Sequence, residues 1–418
     1  MIFRSNKIKS IGAREILDSR GNPTVEVVIG TASQYVSAAV PSGASTGKYE
    51  AIELRDNDLN RFGGKGVKKA IEAINNAIAP AIVGKEPFDQ KNIDEALIKL
   101  DGTTDKSNLG ANAILGVSLA VARLAATISK KPLFEYLRSL ALIKSSHKIP
   151  YLYANLINGG KHAVTPLAFQ EYHVVPQTEN LEEALNIIHA IQNSLKKTLQ
   201  ANIGDEGGFV PNITDVEEPL RLLKEAAEKT DTLSKVRFAM DVAASSFYEN
   251  SSAGLTTSGK YNLGDKILTA DELLELYKKM ATDYPLLSIE DPFHEEDFEN
   301  FAKLKAALPK LYVMGDDLTV TNKERLKQAI AKNSINSIII KPNQIGTLTE
   351  TLETMKLARD NNIECIVSHR SGETNDDFIA DLAMAFGTFG IKAGALQRGE
   401  RVAKYNRMLQ IYEIFKTL

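Results

Sequence analysis

The hydrophobic pattern of the chain changes character near residue 140. Within the first 140 residues, the segments PTVEVVIG (23–30) and YVSAAVPSG (35–43) are rich in β-branched residues and bordered by turn formers, which is typical of β-strands. From residue 65 to residue 138 the apolar positions recur with the spacing of amphipathic helices. Strands followed by helices predict a compact α+β domain over residues 1–140.

After Pro150, short apolar runs alternate with amphipathic helical segments. Six of these runs end at, or carry, an ionisable residue: VRFAMD, PLLSIED, LYVMGDD, SIIIK, ECIVSHR and FGIK. Their last four spacings are about 23–28 residues, which is the length of one strand, one helix and two loops. Repeated βα units of this size predict a parallel sheet, and such a run closes most economically into a TIM-type barrel over residues 141–418.

The ionisable residues of these runs predict one shared site. In a TIM-type barrel the active-site groups lie at the carboxyl ends of the strands. Lys341 alone, after the apolar run 337–340, is also what a buried strand emerging into solvent would show. Six such strand ends directed toward one rim favour a site instead, and their residues are Asp241, Glu290, Asp316, Lys341, His369 and Lys392.

Composition and charge exclude several classes of protein. The 418 residues are 43% hydrophobic and 25% charged, as in ordinary globular proteins, and a net charge of −3 leaves no electrostatic footprint for nucleic acid. The single cysteine, Cys365, excludes an internal disulfide and lies in an apolar run that indicates a buried, inert thiol. The apolar segment 114–128 carries Arg123 and indicates a buried helix, and the first residues lack the apolar core of a signal peptide. We therefore expect a soluble, cytoplasmic protein with no membrane span and no nucleic-acid partner.

Three of the strand-end residues, Asp241, Glu290 and Asp316, are carboxylates. Brought together without a counter-charge they would repel one another, so a cluster of this kind normally holds a cation. Ligation by oxygen alone favours Mg²⁺ over Zn²⁺. A structural alternative, in which each carboxylate forms a salt bridge with a lysine, stays open at this point.

Lys341 and Lys392 would stand beside that metal. Positive neighbours disfavour a protonated amine, which predicts a lowered pKa and a lysine able to act as a base near neutral pH. A metal that polarises a carboxylate opposite a lysine base suits abstraction of the proton α to that carboxylate. A lysine base with one or two Mg²⁺ ions is the established pattern of the enolase superfamily, so the chain matches a known example here.

Nine strings of the chain resemble the enolase family and occur in the family's order. They are DSRGNPTVEV (18–27), PSGASTGKYEA (41–51), GDEGGFVPN (204–212), MDVAAS (240–245), SIEDPF (288–293), GDDLTVTN (315–322), KPNQIGT (341–347), SHRSGET (368–374) and ERVAKYN (400–406). The resemblance implies an enolase of glycolysis and gluconeogenesis, a hydro-lyase that interconverts 2-phosphoglycerate and phosphoenolpyruvate plus water. It also implies a C-terminal enolase-type barrel capped by the N-terminal α+β domain.

The resemblance implies roles for individual residues. Lys341 would remove the C2 proton of 2-phosphoglycerate, and Glu206, in the DEGG turn, would act as general acid at the C3 hydroxyl. The residues implied to bind substrate are Arg370 and Ser371 at the phosphate, Lys392 at the carboxylate, and His162, Gln170, Glu171, His369 and Lys341 around the pocket.

Two Mg²⁺ ions per active site are implied as cofactors. Asp241, Glu290 and Asp316 would hold the first, whose charge stabilises a carboxylate-enolate intermediate. Ser45 would help hold the second, which joins together with the substrate phosphate. Ser45 belongs to a loop over residues 41–48 that is expected to be mobile and to cover the substrate.

Some positions depart from the family's pattern. The loop after His162 reads HAVT, the strand from Gln170 reads QEYH where QEFM is usual, and Ser246 replaces a commonly acidic residue. The resemblance implies a homodimer, or a higher oligomer of dimers. Gln410 replaces an arginine in the segment that contributes to the dimer contact of relatives.

Three other interpretations predict features that the sequence can test. A P-loop would need four residues between the glycines of GASTGK, where only three occur. An epimerase or racemase of the same superfamily would need a second base facing Lys341 and would lack the SHRSGET block. A non-enzymatic scaffold predicts the loss of Lys341, Glu206 or the metal carboxylates, and all of them are retained.

Overall fold

The computed structural model describes residues 6–43, 46–144, 146–250 and 259–417. In this part of the chain a three-stranded antiparallel sheet with its helices is followed by a closed eight-stranded barrel surrounded by helices. The predicted α/β class and TIM-type barrel are therefore confirmed. The division of the chain at residue 140 stays a prediction.

The N-terminal elements form one sheet and a layer of helices. The strands are β1 (Ser10–Leu17), β2 (Pro23–Gly30) and β3 (Tyr35–Ala39), paired in that order. The helices are α1 (Lys68–Ala73), α2 (Ala79–Ile82), α3 (Gln90–Asp101), α4 (Ala111–Ile128) and α5 (Leu133–Leu140), with a π-helical turn (Ile74–Ile78) joining the first two. Helix α4 packs across β2 and β3, and its residues are mostly buried.

The remaining strands build the barrel and two short additions. The strands in chain order are β4 (Tyr151–Asn158), β5 (Glu171–Pro176), β6 (Asn202–Ile203), β7 (Phe209–Val210), β8 (Val236–Asp241), β9 (Tyr248–Glu249), β10 (Lys260–Asn262), β11 (Ile267–Leu268), β12 (Leu286–Glu290), β13 (Tyr312–Gly315), β14 (Ser337–Ile340), β15 (Glu364–Ser368) and β16 (Gly390–Lys392). The barrel order is β4-β5-β8-β12-β13-β14-β15-β16, and β16 pairs with β4 to close it. Strands β6 and β7 extend the sheet beside β4, and β9 to β11 form a separate small sheet.

Helices cover the outside of the barrel. They are α6 (Leu181–Thr198), α7 (Glu218–Lys229), α8 (Ala270–Asp283), α9 (Phe298–Ala307), α10 (Lys323–Ala331), α11 (Pro342–Ile345), α12 (Leu348–Asp360), α13 (Phe378–Phe386) and α14 (Gly399–Thr417). Several begin at side-chain caps, for example α8, where Thr269 and Glu272 form a capping box. From β12 onward the alternation of strand and helix agrees with the predicted βα repeat.

One barrel strand breaks the predicted parallel arrangement. Strand β5 runs antiparallel to both β4 and β8, whereas the other barrel strands are mutually parallel. Residues 159–170, between β4 and β5, contain only the short turn Gly160–His162 and no crossover helix. A parallel neighbour would need such a crossover, so the short connection returns the chain as a hairpin. The beginning of β5, and not its end, therefore lies at the carboxyl ends of the other strands.

The longest apolar helix is an internal element. Among the described residues, Ala111–Ile128 is the one helix whose length and composition would suffice to cross a membrane, and 83% of it is buried inside the protein. Arg123 of this helix donates to Asp376 at 2.6 and 2.8 Å, linking α4 to the segment before α13. The burial predicted for this segment is confirmed.

Candidate active site

The predicted strand-end residues meet at one end of the barrel. A small cavity is lined there entirely by polar and charged residues: His162, Gln170, Glu171, Glu206, Lys341, Ser368, His369, Arg370, Ser371 and Lys392. Every predicted catalytic and substrate-binding residue is among them. Asp241 and Glu290 adjoin the cavity through Lys392, and Asp316 adjoins it through Lys341. Ser45 lies outside the described residues.

The alternation of side chains along the strands explains why these residues reach the cavity. Residues two apart on a strand face the same side of the sheet. Met314 and Ile339 belong to the apolar cluster inside the barrel. Asp316 and Lys341, two residues further along their chains, therefore face the barrel axis at its mouth. The two-residue alternation that directs apolar side chains into the barrel therefore also directs these charged side chains toward its mouth.

Lys392 is bound by three carboxylates. Its Nζ lies 2.7 Å from Glu290 Oε2, 3.2 Å from Glu171 Oε2 and 3.3 Å from Asp241 Oδ2. Burial disfavours the ammonium charge, but the three carboxylates outweigh it and raise the pKa of Lys392 well above its usual value. Lys392 is therefore a permanent cation in the cavity wall, suited to an anionic group of a ligand.

Lys341 is held by Asp316. Its Nζ donates to Asp316 Oδ2, while Gln344 Nε2 donates to Asp316 Oδ1 at 2.8 Å. Burial lowers the pKa of Lys341, but the negative charges of Asp316 and Glu290 together outweigh burial and raise that pKa to about 12. The nearest charge to the ammonium is negative, which raises the pKa of Lys341 among the chain's own groups. The lowering expected beside a bound Mg²⁺ stays a prediction.

The three predicted metal carboxylates lie around these two lysines, so the alternative of lysine salt bridges describes part of the arrangement. Burial nevertheless raises the pKa of Asp241, and burial together with the nearby Asp241 raises that of Glu290 well above its usual value. Glu290 Oε1 is buried and has no hydrogen-bond partner within the described residues. An all-oxygen donor set with an unsatisfied carboxylate oxygen fits a hard divalent cation.

Asp291 is a buried carboxylate that the sequence analysis missed. Its two oxygens accept hydrogen bonds from the backbone N–H groups of Asp316 and Asp317, at 2.9 and 2.7 Å. Oxygens of Asp291, Asp316 and Asp317 all lie within 4.8 Å of one another. Asp291 therefore fixes the loop that presents Asp316. The sequence did carry a signal for Asp291. Glu290 and Asp291 are adjacent in SIEDPF, so only one of them can face the cavity and the other needs a partner elsewhere.

Glu206 stands between two histidines. Glu206 Oε1 lies 3.4 Å from both His162 Nδ1 and His369 Nε2, and Asn155 donates to Glu206 Oε2 at 2.8 Å. Burial lowers the pKa of His162, but Glu206 and Glu171 outweigh it and raise that pKa to about 10. Burial and Glu171 raise the pKa of Glu206, but the two histidines, His162 and His369, together outweigh them and lower it. The proton of this group therefore resides on His162.

The guanidinium of Arg370 is held at the cavity by Glu50 and Asn343. Its guanidinium donates to Glu50 at 2.8 and 3.2 Å and to Asn343 Oδ1 at 3.1 Å. Glu50 comes from the block PSGASTGKYEA, far from Arg370 in sequence. Nearby, the backbones of Ser42 and Gly372 exchange two hydrogen bonds of 2.7 and 2.9 Å. The segments on either side of the cavity entrance are thus tied together.

Arg401 is a second residue with no predicted role, although its block ERVAKYN was recognised. It is fully buried and donates to the backbone oxygens of Arg370 at 2.5 Å, Ser371 at 2.7 Å and Asp205 at 3.0 Å. It thereby joins the loop that carries Glu206 to the loop that carries Arg370 and Ser371. A fully buried arginine needs such a set of acceptors, because its charge is costly to desolvate.

Both the N-terminal elements and the barrel match known proteins. The family model described as the enolase N-terminal domain matches residues 8–137, and that described as the enolase C-terminal TIM barrel domain matches residues 146–417. Among curated relatives, Enolase B of Dictyostelium discoideum is 46% identical over 424 residues, covering 98% of this chain and 96% of that protein. The enolase of Campylobacter lari is 48% identical over 413 residues, covering 97% of this chain and 96% of its own. The enolase of Methanocaldococcus jannaschii is 48% identical over 414 residues, with coverages of 97% and 95%.

Proposed function

The chain belongs to the enolase family of hydro-lyases, and on this premise we propose that it reversibly dehydrates 2-phosphoglycerate to phosphoenolpyruvate, with Lys341 as base and Glu206 as acid. The observation that carries the proposal is that both residues line one small polar cavity, together with Arg370 and Lys392. A base, an acid and two fixed cations around one small cavity suit an anionic substrate that loses a proton and a hydroxyl.

Lys341 is the proposed base. Its backbone N–H donates to Thr321 Oγ1 at 2.9 Å, which fixes the chain where β14 ends. In the proposal its amine, once unprotonated, takes the C2 proton of the substrate. Asp316 holds the proton on Lys341 in the chain's own arrangement and is also a proposed metal ligand. Because one carboxylate cannot fully serve both roles, Asp316 controls whether the amine of Lys341 is protonated or free to act as a base.

Glu206 is the proposed acid at the C3 hydroxyl. The proton that it needs is held by His162, whose Nδ1 lies 3.4 Å from Glu206 Oε1 and 3.4 Å from Glu171 Oε1. Glu206 can take up this proton as the hydroxyl leaves, so the three side chains serve as one acid. The orientation of His162 between the two carboxylates is central to the second step.

The cations of the cavity bind the anionic ends of the substrate in the proposal. Arg370 offers a planar fork of donors, which matches a phosphate group, and Ser371 lies beside it. Lys392 remains charged and pairs with the substrate carboxylate. These interactions hold the substrate so that its C2 proton faces Lys341.

A divalent cation is implied by the family, and the residues present fit one. We assign it to Asp241, Glu290 and Asp316, and propose that it is Mg²⁺, with a second Mg²⁺ joining with the substrate beside Ser45. When bound, the cation supplies positive charge near the substrate carboxylate, where negative charge develops as the C2 proton leaves. The carboxylates themselves need that charge, because the lysines leave Glu290 Oε1 unsatisfied.

Four further features belong to the same proposal. The chain would divide into domains at residues 1–140 and 141–418, and the loop over residues 41–48 would close over the substrate. It would act in the cytoplasm, in glycolysis and gluconeogenesis. It would form a homodimer, or a higher oligomer of dimers.

The direct test is the formation of phosphoenolpyruvate. We expect purified protein with Mg²⁺ to convert 2-phosphoglycerate into a product that absorbs in the ultraviolet, and the variant Lys341→Ala to produce none above background. The absence of product from folded wild-type protein, with substrate and Mg²⁺ both saturating, would overturn the proposal.

A further inference from the structure

His173 is a buried histidine directly beneath the cavity, and none of the roles assigned above includes it. It is 1% exposed and lies in β5, two residues after Glu171. Its Nε2 lies 2.8 Å from Glu171 Oε2, and its Nδ1 lies 3.3 Å from the backbone oxygen of Ala239. Its ring packs edge-on against Tyr153, with 6.0 Å between centroids.

The reversed direction of β5 places His173 there. Because the strand is antiparallel to its neighbours, Glu171 at its beginning faces the cavity. Residues two apart share a face, so His173 faces the layer below and Val175 the apolar interior below that. A polar ring thus lies between the apolar filling of the barrel and the charged groups of its mouth.

The partners of the ring identify what it does. Both atoms that face its nitrogens are acceptors, and the carboxylate is the nearer one, so Nε2–H donates to Glu171 Oε2. Glu171 Oε2 also faces Lys392, while Glu171 Oε1 faces His162 Nδ1 at 3.4 Å. His162 Nδ1 is buried and forms no hydrogen bond within the described residues, so the carboxylates of Glu171 and Glu206, each at 3.4 Å, are the groups that face it. The position of Glu171 therefore decides where His162 stands relative to Glu206.

We propose that His173 is a positioning residue for the acid half of the reaction. By holding Glu171 Oε2 it turns Oε1 toward His162, and it thereby keeps His162 within reach of Glu206. Lys341 and Asp316 form hydrogen bonds with each other and with Gln344 but not with Glu171, so the base half depends on His173 less than the acid half does. The kinetic test of this inference rests on the proposed function, whereas the predicted effect of His173 on the position of His162 does not.

The kinetic test compares two steps in two variants. His173→Met removes the donor at similar volume and introduces the residue that is usual in the family, so it tests whether this chain has come to depend on the donor. His173→Gln keeps an N–H at a similar reach. We expect His173→Met to lower turnover about tenfold, as for the loss of one hydrogen bond to a charged group, while exchange of the C2 proton with solvent stays within about twofold. His173→Gln should recover most of the turnover. Val175→Ala, one layer deeper, is the control, and it should lower the melting temperature without changing the ratio of the two rates.

A spectroscopic test does not require turnover. The chain has six histidines, and ¹⁵N ring signals of the ligand-free protein should show the His162 signal shifted in His173→Met but close to wild type in His173→Gln. The signals of His189 and His294 should not move in either variant. If phosphoenolpyruvate formation failed in wild type, this shift would still test the positioning of His162.

The proposal is overturned by any of three results. These are native turnover in folded His173→Met, a parallel loss of exchange and turnover, or a His162 signal that does not respond. If His173→Met does not fold, His173→Asn replaces it, because its shorter side chain cannot reach Glu171. Equal turnover in the asparagine and glutamine variants would then overturn the proposal.

Discussion

Arg401 Nη1 lies 2.6 Å from Nδ1 of His369, and both side chains are buried. A guanidinium can only donate, so His369 Nδ1 must be the unprotonated nitrogen and Nε2 carries the hydrogen. Burial lowers the pKa of His369 well below its usual value, and the Arg401 charge acts in the same direction. His369 therefore presents an N–H to Glu206 as a neutral ring, which leaves His162 as the charged partner of that carboxylate.

This contact predicts a strong effect of Arg401→Lys. Lysine keeps the charge but cannot reach His369 and the backbone oxygens of Arg370 and Ser371 together. We expect the KM for 2-phosphoglycerate to rise about tenfold or more, because the phosphate-binding loop loses its shared donor. Steady-state kinetics measure this, with Arg407→Lys as the control, because Arg407 lies in the same helix but pairs with Asp381 and not with the cavity loops. Native KM in the Arg401 variant would show that the loop holds its shape without the guanidinium.

Metal dependence follows from the carboxylates. We expect excess EDTA to abolish turnover and added Mg²⁺ to restore it. Glu290→Gln should lose activity and also lose the rise in melting temperature that Mg²⁺ causes in wild type, since one oxygen ligand is replaced by a weaker one. Glu249→Gln, an exposed carboxylate, is the matched control. Full turnover of wild type in excess EDTA would disprove the assignment of Asp241, Glu290 and Asp316.

The two catalytic partners should be separable. Lys341→Ala should stop exchange of the C2 proton with solvent, because it removes the base. Glu206→Gln should retain most of that exchange while blocking product, because the acid is needed only when the hydroxyl leaves. Deuterium incorporation followed by mass spectrometry measures the first step. Equal loss of exchange in both variants, with substrate still bound, would contradict this division of roles.

Lys341→Arg distinguishes a base from a structural cation. Arginine can keep the ion pair with Asp316, so we expect normal folding and a melting temperature near that of wild type. It stays protonated at any accessible pH and cannot accept the C2 proton, so turnover should fall at least about a thousandfold. Turnover at saturating Mg²⁺ is the measurement. An arginine variant within a few-fold of wild type would mean that Lys341 serves only the ion pair.

The half-buried pair of Arg123 and Asp376 predicts a pH-dependent contribution to stability. Burial raises the pKa of Asp376, but Arg123 outweighs it and lowers that pKa below its usual value. A lowered carboxyl pKa stabilises the fold above the unfolded pKa, about 4, and this contribution is lost as the pH falls through the folded pKa. Asp376→Asn should cost about 3 kcal/mol at pH 7.

Thermal unfolding of wild type and Asp376→Asn between pH 7 and pH 3 measures this contribution. The difference between the two melting temperatures should be largest near neutral pH and should shrink below about pH 4. The exposed acidic residue Asp360, changed to asparagine, should show no comparable pH dependence. A constant difference across the range would mean that Asp376 acts through its shape and not its charge.

The barrel and most of its site could be predicted because both depend on local patterns. A strand buried on both faces appears as a continuous apolar run, and the βα repeat sets the spacing of successive strand ends. The resemblance strings then assigned roles to residues such as Glu206 that no periodicity would have singled out. Asp291, Glu50 and Arg401 lay inside recognised strings, but their functions depend on partners distant in sequence.

The sequence by itself determined which residues end the strands and, through the two-residue alternation of side chains, which of them share a face with the barrel interior. These are properties of neighbouring residues, so the chain carries them before it folds. Only the tertiary structure decided that β5 runs in reverse, which brings Glu171 to the cavity and His173 beneath it. It also decided that Asp316 raises the pKa of Lys341, because that pKa reflects the sum of charges from strands that become neighbours only when the barrel closes.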